Sequence, residues 1–276
     1  MNDPVEPVAG LPPTPPPLPA APRFCRACGL PWDPMLAYCP ACASAGARPP
    51  PAISPLEVHD RSVPFALSLY FAWLTLSLGE VIWILLGGNT VTVDMASTAL
   101  ATVMVFGWCL SSGLVRRAVG AALRHVRPLW CLAGFAIAPF TFAIASAVVY
   151  AFNHTFKLHG VRYTDDLFAA GWGWGMSLLL VCVQPAVVEE VAFRGVIFSA
   201  LRQVLESNEA VLVSALMFMI IHLSVPSFPH LLLIGLALGW LRVRTGSLVP
   251  GMCLHFTHNL LCIVSERWPM HHGIFT

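Results

Sequence analysis

From Pro64 almost to its end, the chain is a succession of apolar runs, most of them about 17–25 residues long. That length crosses the hydrocarbon core of a bilayer as a helix. Inside lipid every backbone N–H and C=O must be satisfied without water, and a helix does this within one segment. Spans are therefore expected near 64–86, 95–115, 129–152, 171–205, 209–225, 228–243 and 247–265. The pattern gives about seven crossings, with six to eight compatible. The fold class is all-α, a polytopic transmembrane helical bundle. The fourth run is too long for one straight crossing, and a bend is expected at Gln184-Pro185, where a helical hydrogen bond is lost. Pro226 and Pro229 mark the turn between the short fifth and sixth runs.

Charge agrees with membrane residence. The chain is 57% hydrophobic and 11% charged, whereas soluble domains carry about 25% charged residues. A net charge of +1 offers nucleic acid nothing to bind, and none is expected as a partner. With the N-terminus cytoplasmic, eleven of the fifteen basic residues fall in inside loops, as the positive-inside rule requires. The location expected is the bacterial inner membrane. The N-terminus, acidic and proline-rich, is not expected to act as a secretory signal.

Four zones follow. Residues 1–22 form a proline-rich tail without packing residues. Residues 23–46 hold two CxxC pairs, Cys25 with Cys28 and Cys39 with Cys42. Four thiolates on two tight turns suit a closed tetrahedral Zn2+ site, and so small a module needs the metal to fold. A reducing cytoplasm favours zinc over disulfides. This module is similar to the short zinc ribbons found at the start of bacterial membrane proteins. Residues 47–62 are a linker, and 63–276 are the membrane domain, with a catalytic core at about 170–265.

Polar residues inside the greasy core residues carry the functional signal. Glu189, Glu190 and Arg194 interrupt an otherwise apolar stretch, although a buried charge costs roughly 2.5–3.5 kcal/mol even on lenient insertion scales. Glu190 and Arg194 stand at i, i+4, the spacing of a helical ion pair. Glu189 is rotated about 100° away and is free to point elsewhere. Phe218 and His222 share a face of the next segment, as do His255 and Asn259 of the last. A desolvated glutamate facing an imidazole across a water is a general base. A second histidine and an asparagine can donate hydrogen bonds to an oxyanion. Ser214, Ser224 and Cys253 have no base at a defined spacing, so activated water is the expected nucleophile.

These motifs resemble a known family. Glu189-Glu190-Val-Ala-Phe-Arg194 is similar to the EExxxR signature of the CAAX protease and bacteriocin-processing family of intramembrane glutamic endopeptidases, whose eukaryotic members include the Ras-converting enzyme. Phe218 to His222 matches its FxxxH signature, and His255 to Asn259 its HxxxN signature. The resemblance implies that Glu189 and His222 activate the water and that His255 and Asn259 stabilise the oxyanion. It implies that Glu190 and Arg194, with Phe218, support the site. No metal is implied at the active site. The expected substrate is a peptide or protein entering from the bilayer or the cytoplasm.

Two other readings use the same residues. Glu189, Glu190, His222 and His255 are all possible zinc ligands of a metal-dependent hydrolase. A non-catalytic scaffold or immunity protein could pair these groups structurally between helices. Of the remaining polar residues, Glu80 is expected to snorkel or meet bundle polar groups, His258 to be a neighbour of the site, and His230 to line an entrance.

Overall fold

In the computed structural model, residues 55–126, 128–158, 162 and 164–267 are described, with 23, 24, 29, 31 and 32 of the N-terminal part. Cys25, Cys28, Cys39 and Cys42, and the proline-rich tail, lie outside the described residues. Beside those cysteines, β1 (Arg23–Phe24) pairs antiparallel with β2 (Pro31–Trp32), placing Arg23 opposite Trp32 and Phe24 opposite Pro31.

The remainder is helical. α1 (Pro55–Leu85), α2 (Thr90–Ser111), α3 (Gly113–Arg124) and α4 (Pro128–Phe156) precede the short α5 (Asp165–Ala169). Then come α6 (Gly173–Leu201), α7 (Ser207–Ile221), α8 (Phe228–Thr245) and α9 (Val249–Arg267). Among the described residues, five helices are long and apolar enough to cross a membrane: Ser62–Leu85, Thr90–Ser111, Pro128–Phe156, Gly173–Leu201 and Val225–Thr245. The chain is an integral membrane protein. The other two expected crossings are also helices, for identifiable reasons outside that set. α7 has only 15 residues, about 22 Å at 1.5 Å per residue against roughly 30 Å of hydrocarbon. α9 dilutes its apolar residues with His255, His258 and Asn259.

α1, α2 and α4 present apolar side chains outward: Val103, Leu129 and Phe140 are 69%, 77% and 71% exposed. Such surface on apolar helices of spanning length fits contact with lipid. Between α1 and α2 a groove is lined by Phe65, Ser68, Val103, Met104, Gly107, Trp108 and Ser111; no ionisable group faces it. α6 and α8 are the most enclosed of the five candidate spans. The core joins Val191, Phe193, Val196 and Ile197 of α6 to Phe218 of α7, Leu238 and Leu241 of α8 and Leu254 of α9.

Both ends of the bundle are tied. At one end, Gly246 caps α8 in the left-handed region at φ 67°, its N–H reaching Arg242 O. A glycine there avoids the penalty other residues incur at positive φ. Ser247 Oγ and Leu248 N then both donate to Ala122 O of α3, at 3.1 and 3.2 Å. At the other end, Thr164 N and Oγ1 donate to Glu266 Oε2, and Asp165 pairs with Arg162 and Arg267. Thr90 Oγ1 donates to Asp166 Oδ2 at 2.7 Å, fixing the start of α2 to the same end. Glu80 and Asp94 bring two carboxyl groups close together between α1 and α2.

Candidate active site

α6 is continuous through Gln184-Pro185, and the expected irregularity takes the form of wider turns instead of a break. Leu178–Val183 and Glu190–Ile197 are π-helical; Gln184 N reaches Leu179 O and Phe198 N reaches Phe193 O, five residues back. Such turns concentrate at functional sites because they re-aim side chains. Pro185 has no N–H, so the Val181 carbonyl loses its usual donor four residues on. Asn259 Nδ2 of α9 donates to that carbonyl at 2.7 Å.

The second π-helical stretch carries the acidic motif, and its two glutamates stand in different environments. Glu190 is 1% exposed and Arg194 0%. Arg194 Nη1 lies 3.1 Å from Glu190 Oε1, an ion pair without hydrogen-bond alignment. Nη2 of the same guanidinium donates to Gly235 O of α8 at 3.1 Å. The Arg194 guanidinium also lies over the Phe218 ring, 4.6 Å from its centre, a cation–π contact strengthened by desolvation. Gly251 lets Glu190 in. A Cβ there would meet Glu190 Oε2 at 2.9 Å.

Glu189 is 14% exposed, and its Oε2 is buried without a hydrogen-bond partner. His255 lies between the two acids. Its Nδ1 is 3.3 Å from Glu190 Oε1 and its Nε2 is 3.8 Å from Glu189 Oε2. The second distance is too long for a hydrogen bond. A water about 2.7 Å from each atom, subtending roughly a right angle, would fit it.

Phe218 links the histidines. Its ring centre lies 5.0 Å from that of His222 and 5.9 Å from that of His255, both edge-on. His222 caps the C-terminus of α7 and is exposed, and Leu223 follows at φ 50°. A leucine in that region stores of order 1–2 kcal/mol of strain, which ends the helix and leaves His222 at its tip. Because α7 is short, that tip stops about 8 Å below the far edge of a 30 Å core if the helix starts at the near edge. His222 Nδ1 lies 2.8 Å from Phe218 O. A carbonyl only accepts, so Nδ1 carries the proton and Nε2 keeps its lone pair.

Residues 171–261 match the family model described as Type II CAAX prenyl endopeptidase Rce1-like. That interval contains both glutamates, Arg194, Phe218, His222, His255 and Asn259. Among curated proteins, "Putative membrane peptidase YdiL" of Bacillus subtilis (strain 168) is 27% identical over 146 residues, 51% of this chain and 57% of that protein. The chain thus spans little more than half the length of this relative. No solved structure matches the chain. It is similar to membrane peptidases across the helices that build the site.

The structure gathers Glu189, Glu190, Arg194, Phe218 and His255 into one cluster, sets His222 beside Phe218, and holds Asn259 one turn beyond His255 against Val181. Sequence reasoning missed the part played by Gly251 and by Gly235, whose carbonyl holds Arg194. It also missed the pairing of His230 with His258, whose Nε2 atoms are 2.7 Å apart. Two histidines in apolar segments were the available signal, but nothing in their spacing of 28 residues points one at the other.

Proposed function

We propose that this protein is an intramembrane endopeptidase in which Glu189 and His222 activate a water for attack on a peptide carbonyl. Glu189 Oε2 takes the water's proton, as its missing hydrogen-bond partner leaves it free to do. The lone pair on His222 Nε2 shares the work of orienting that water. As the carbonyl carbon becomes tetrahedral, negative charge gathers on its oxygen, and Asn259 donates to it together with His255, which does so from Nε2–H as an imidazolium whose Nδ1–H is held by Glu190. One Asn259 N–H is already spent on Val181 O; the other remains for substrate. The proton held by Glu189 passes to the leaving nitrogen as the C–N bond breaks. Glu190, Arg194 and Phe218 brace the site without touching substrate.

The different fates of two adjacent glutamates support this reading most. One is committed to Arg194 and the other is left open beside His255. His255 addresses the two acids with opposite ring nitrogens, so a single ion on its Nε2 and Glu189 would leave Glu190 as an outer partner and not a ligand. Cleavage that survives chelators distinguishes the protein-only site from a metal centre. The zinc expected at Cys25, Cys28, Cys39 and Cys42 is proposed as structural, the topology as N-terminus cytoplasmic in a bacterial inner membrane, and the substrate as a peptide reaching the site from bilayer or cytoplasm.

The test is cleavage of a panel of apolar peptides, some ending in a prenylated cysteine motif, by protein purified in detergent. Wild type cleaves at least one, and Glu189→Gln lowers the rate by about 10²–10⁴, the usual worth of a general base. Full activity in Glu189→Gln removes the water-activating role.

A further inference from the structure

We propose that His230, His258 and Cys262 form a second, half-buried site that binds Zn2+ and clamps α8 to α9, with Thr141 of α4 orienting His258. Their ligand atoms all lie within 4.8 Å of one another. His258 and Cys262 stand at i, i+4 on one face of α9, and His230 reaches them from the first turn of α8.

Hydrogen bonding sets His258 up as a ligand. Its Nδ1 lies 3.1 Å from Thr141 Oγ1 of α4, and that hydroxyl donates its proton to Ala138 O at 3.0 Å. The Thr141 oxygen is left to accept, so Nδ1 of His258 carries a hydrogen and Nε2 carries a lone pair. Metal-ligating histidines are fixed in this way, with the distal N–H held by a neighbouring acceptor. The Nε2 lone pair accepts the hydrogen of His230 Nε2, 2.7 Å away; zinc would take that hydrogen's place, with His230 carrying its proton on Nδ1 instead.

Zinc–nitrogen bonds of about 2.0–2.1 Å in a tetrahedron place two nitrogens about 3.3 Å apart. Opening the imidazole pair by about 0.6 Å would therefore admit the ion. The Cys262 sulfur, deprotonated, binds at about 2.3 Å, and a water completes the fourth position. A thiolate with two imidazoles selects zinc over calcium or magnesium, which prefer oxygen.

The site adjoins the candidate active site, with His230 in electrostatic reach of His222 and His255, but is built from different residues. His255 faces α6, whereas His258, three residues on, faces Thr141 and Phe142 of α4. It requires no reading of the catalytic chemistry, and metal content tests it without a substrate.

The experiment uses full-length protein in detergent carrying Cys25→Ser, Cys28→Ser, Cys39→Ser and Cys42→Ser, so that the N-terminal thiolates add no metal. After equilibration with Zn2+ and removal of free ion, elemental analysis should find one zinc per chain. Adding Cys262→Ser or His230→Gln should abolish it, with the size-exclusion profile unchanged. Co2+ in place of zinc should give tetrahedral visible bands and a thiolate charge-transfer band that Cys262→Ser removes. Should either added variant fail to fold, alkylation of Cys262 in the four-serine protein supplies the reading: Zn2+ should slow it at least tenfold. Absence of retained zinc, zinc indifferent to Cys262→Ser or His230→Gln, or unslowed alkylation of Cys262 would each overturn the proposal.

Discussion

Replacing Glu190 and replacing Glu189 by glutamine should have opposite consequences, although the two residues are adjacent and chemically identical. Glu190→Gln leaves Arg194, fully buried, without its 3.1 Å partner. Removing one member of a buried ion pair costs about 3–5 kcal/mol, because the survivor remains in low dielectric uncompensated. Glu189, whose charge also acts on Arg194, and the Gly235 carbonyl offset part of this, so the lower end of the range is expected. For a domain of about 200 residues, each kcal/mol moves Tm by about 2–4 °C, giving a fall of about 6–12 °C for 3 kcal/mol. Glu189→Gln removes a carboxylate whose Oε2 has no hydrogen bond to lose, so its Tm should stay within about 3 °C of wild type, the shift for a change of under 1 kcal/mol. The assay is intrinsic-fluorescence thermal unfolding of both variants in one detergent, beside peptide cleavage. Glu190 is then the supporting residue and Glu189 the chemical one. A Glu189→Gln protein less stable than Glu190→Gln, or a Glu190→Gln protein that unfolds at the wild-type temperature, would refute this assignment.

Three further outcomes are expected. Gly251→Ala pushes a methyl to within 2.9 Å of Glu190 Oε2; overpacking of this kind costs about 1–3 kcal/mol, and both Tm and cleavage should fall, whereas an unchanged Tm would show that the helices simply part. Asn259→Ala removes the donor to Val181 O, worth about 0.5–1.5 kcal/mol; Pro185→Ala returns a backbone N–H to that carbonyl. In a double-mutant cycle, the Asn259→Ala stability loss should therefore shrink in the Pro185→Ala background, and strict additivity would disprove the link. Phe218→Leu keeps apolar volume but removes the ring over Arg194 and between the histidines; a loss of about 2 kcal/mol or less is expected from the desolvated cation–π contact, read as a Tm drop of a few degrees, with cleavage slowed more than Tm alone explains.

Much of the architecture was legible in hydrophobic run length, because lipid leaves a chain few ways to satisfy its backbone. Runs 64–86, 95–115 and 129–152 became α1, α2 and α4 with ends shifted by one to five residues, except that α1 starts nine residues earlier, at Pro55. α3 falls mostly in the gap between the expected spans 95–115 and 129–152. Its twelve residues mix Arg116, Arg117 and Arg124 with Val119 and Ala122, which face the bundle, and a span-length window averages such a pattern away. At Gln184-Pro185, where a bend was expected, the helix is α-helical over Gln184–Glu189, and the irregular turns lie on either side, at Leu178–Val183 and Glu190–Ile197. Whether a proline breaks a helix or is absorbed by π-helical turns depends on partners such as Asn259, contributed from 78 residues away.

By itself the sequence determined that this protein lives in a bilayer, and that acids, imidazoles and an amide are set at helical spacing within it. Those properties are local: run length sets the span, and periodicity sets the face. Only the tertiary structure decided that Glu190 is spent on Arg194 while Glu189 stays open, and that His258 turns from the glutamates towards His230. Such choices depend on separations of a few tenths of an ångström between helices. Small residues such as Gly251 and Gly235, packed against side chains far away in the chain, set those separations, and no local pattern encodes them.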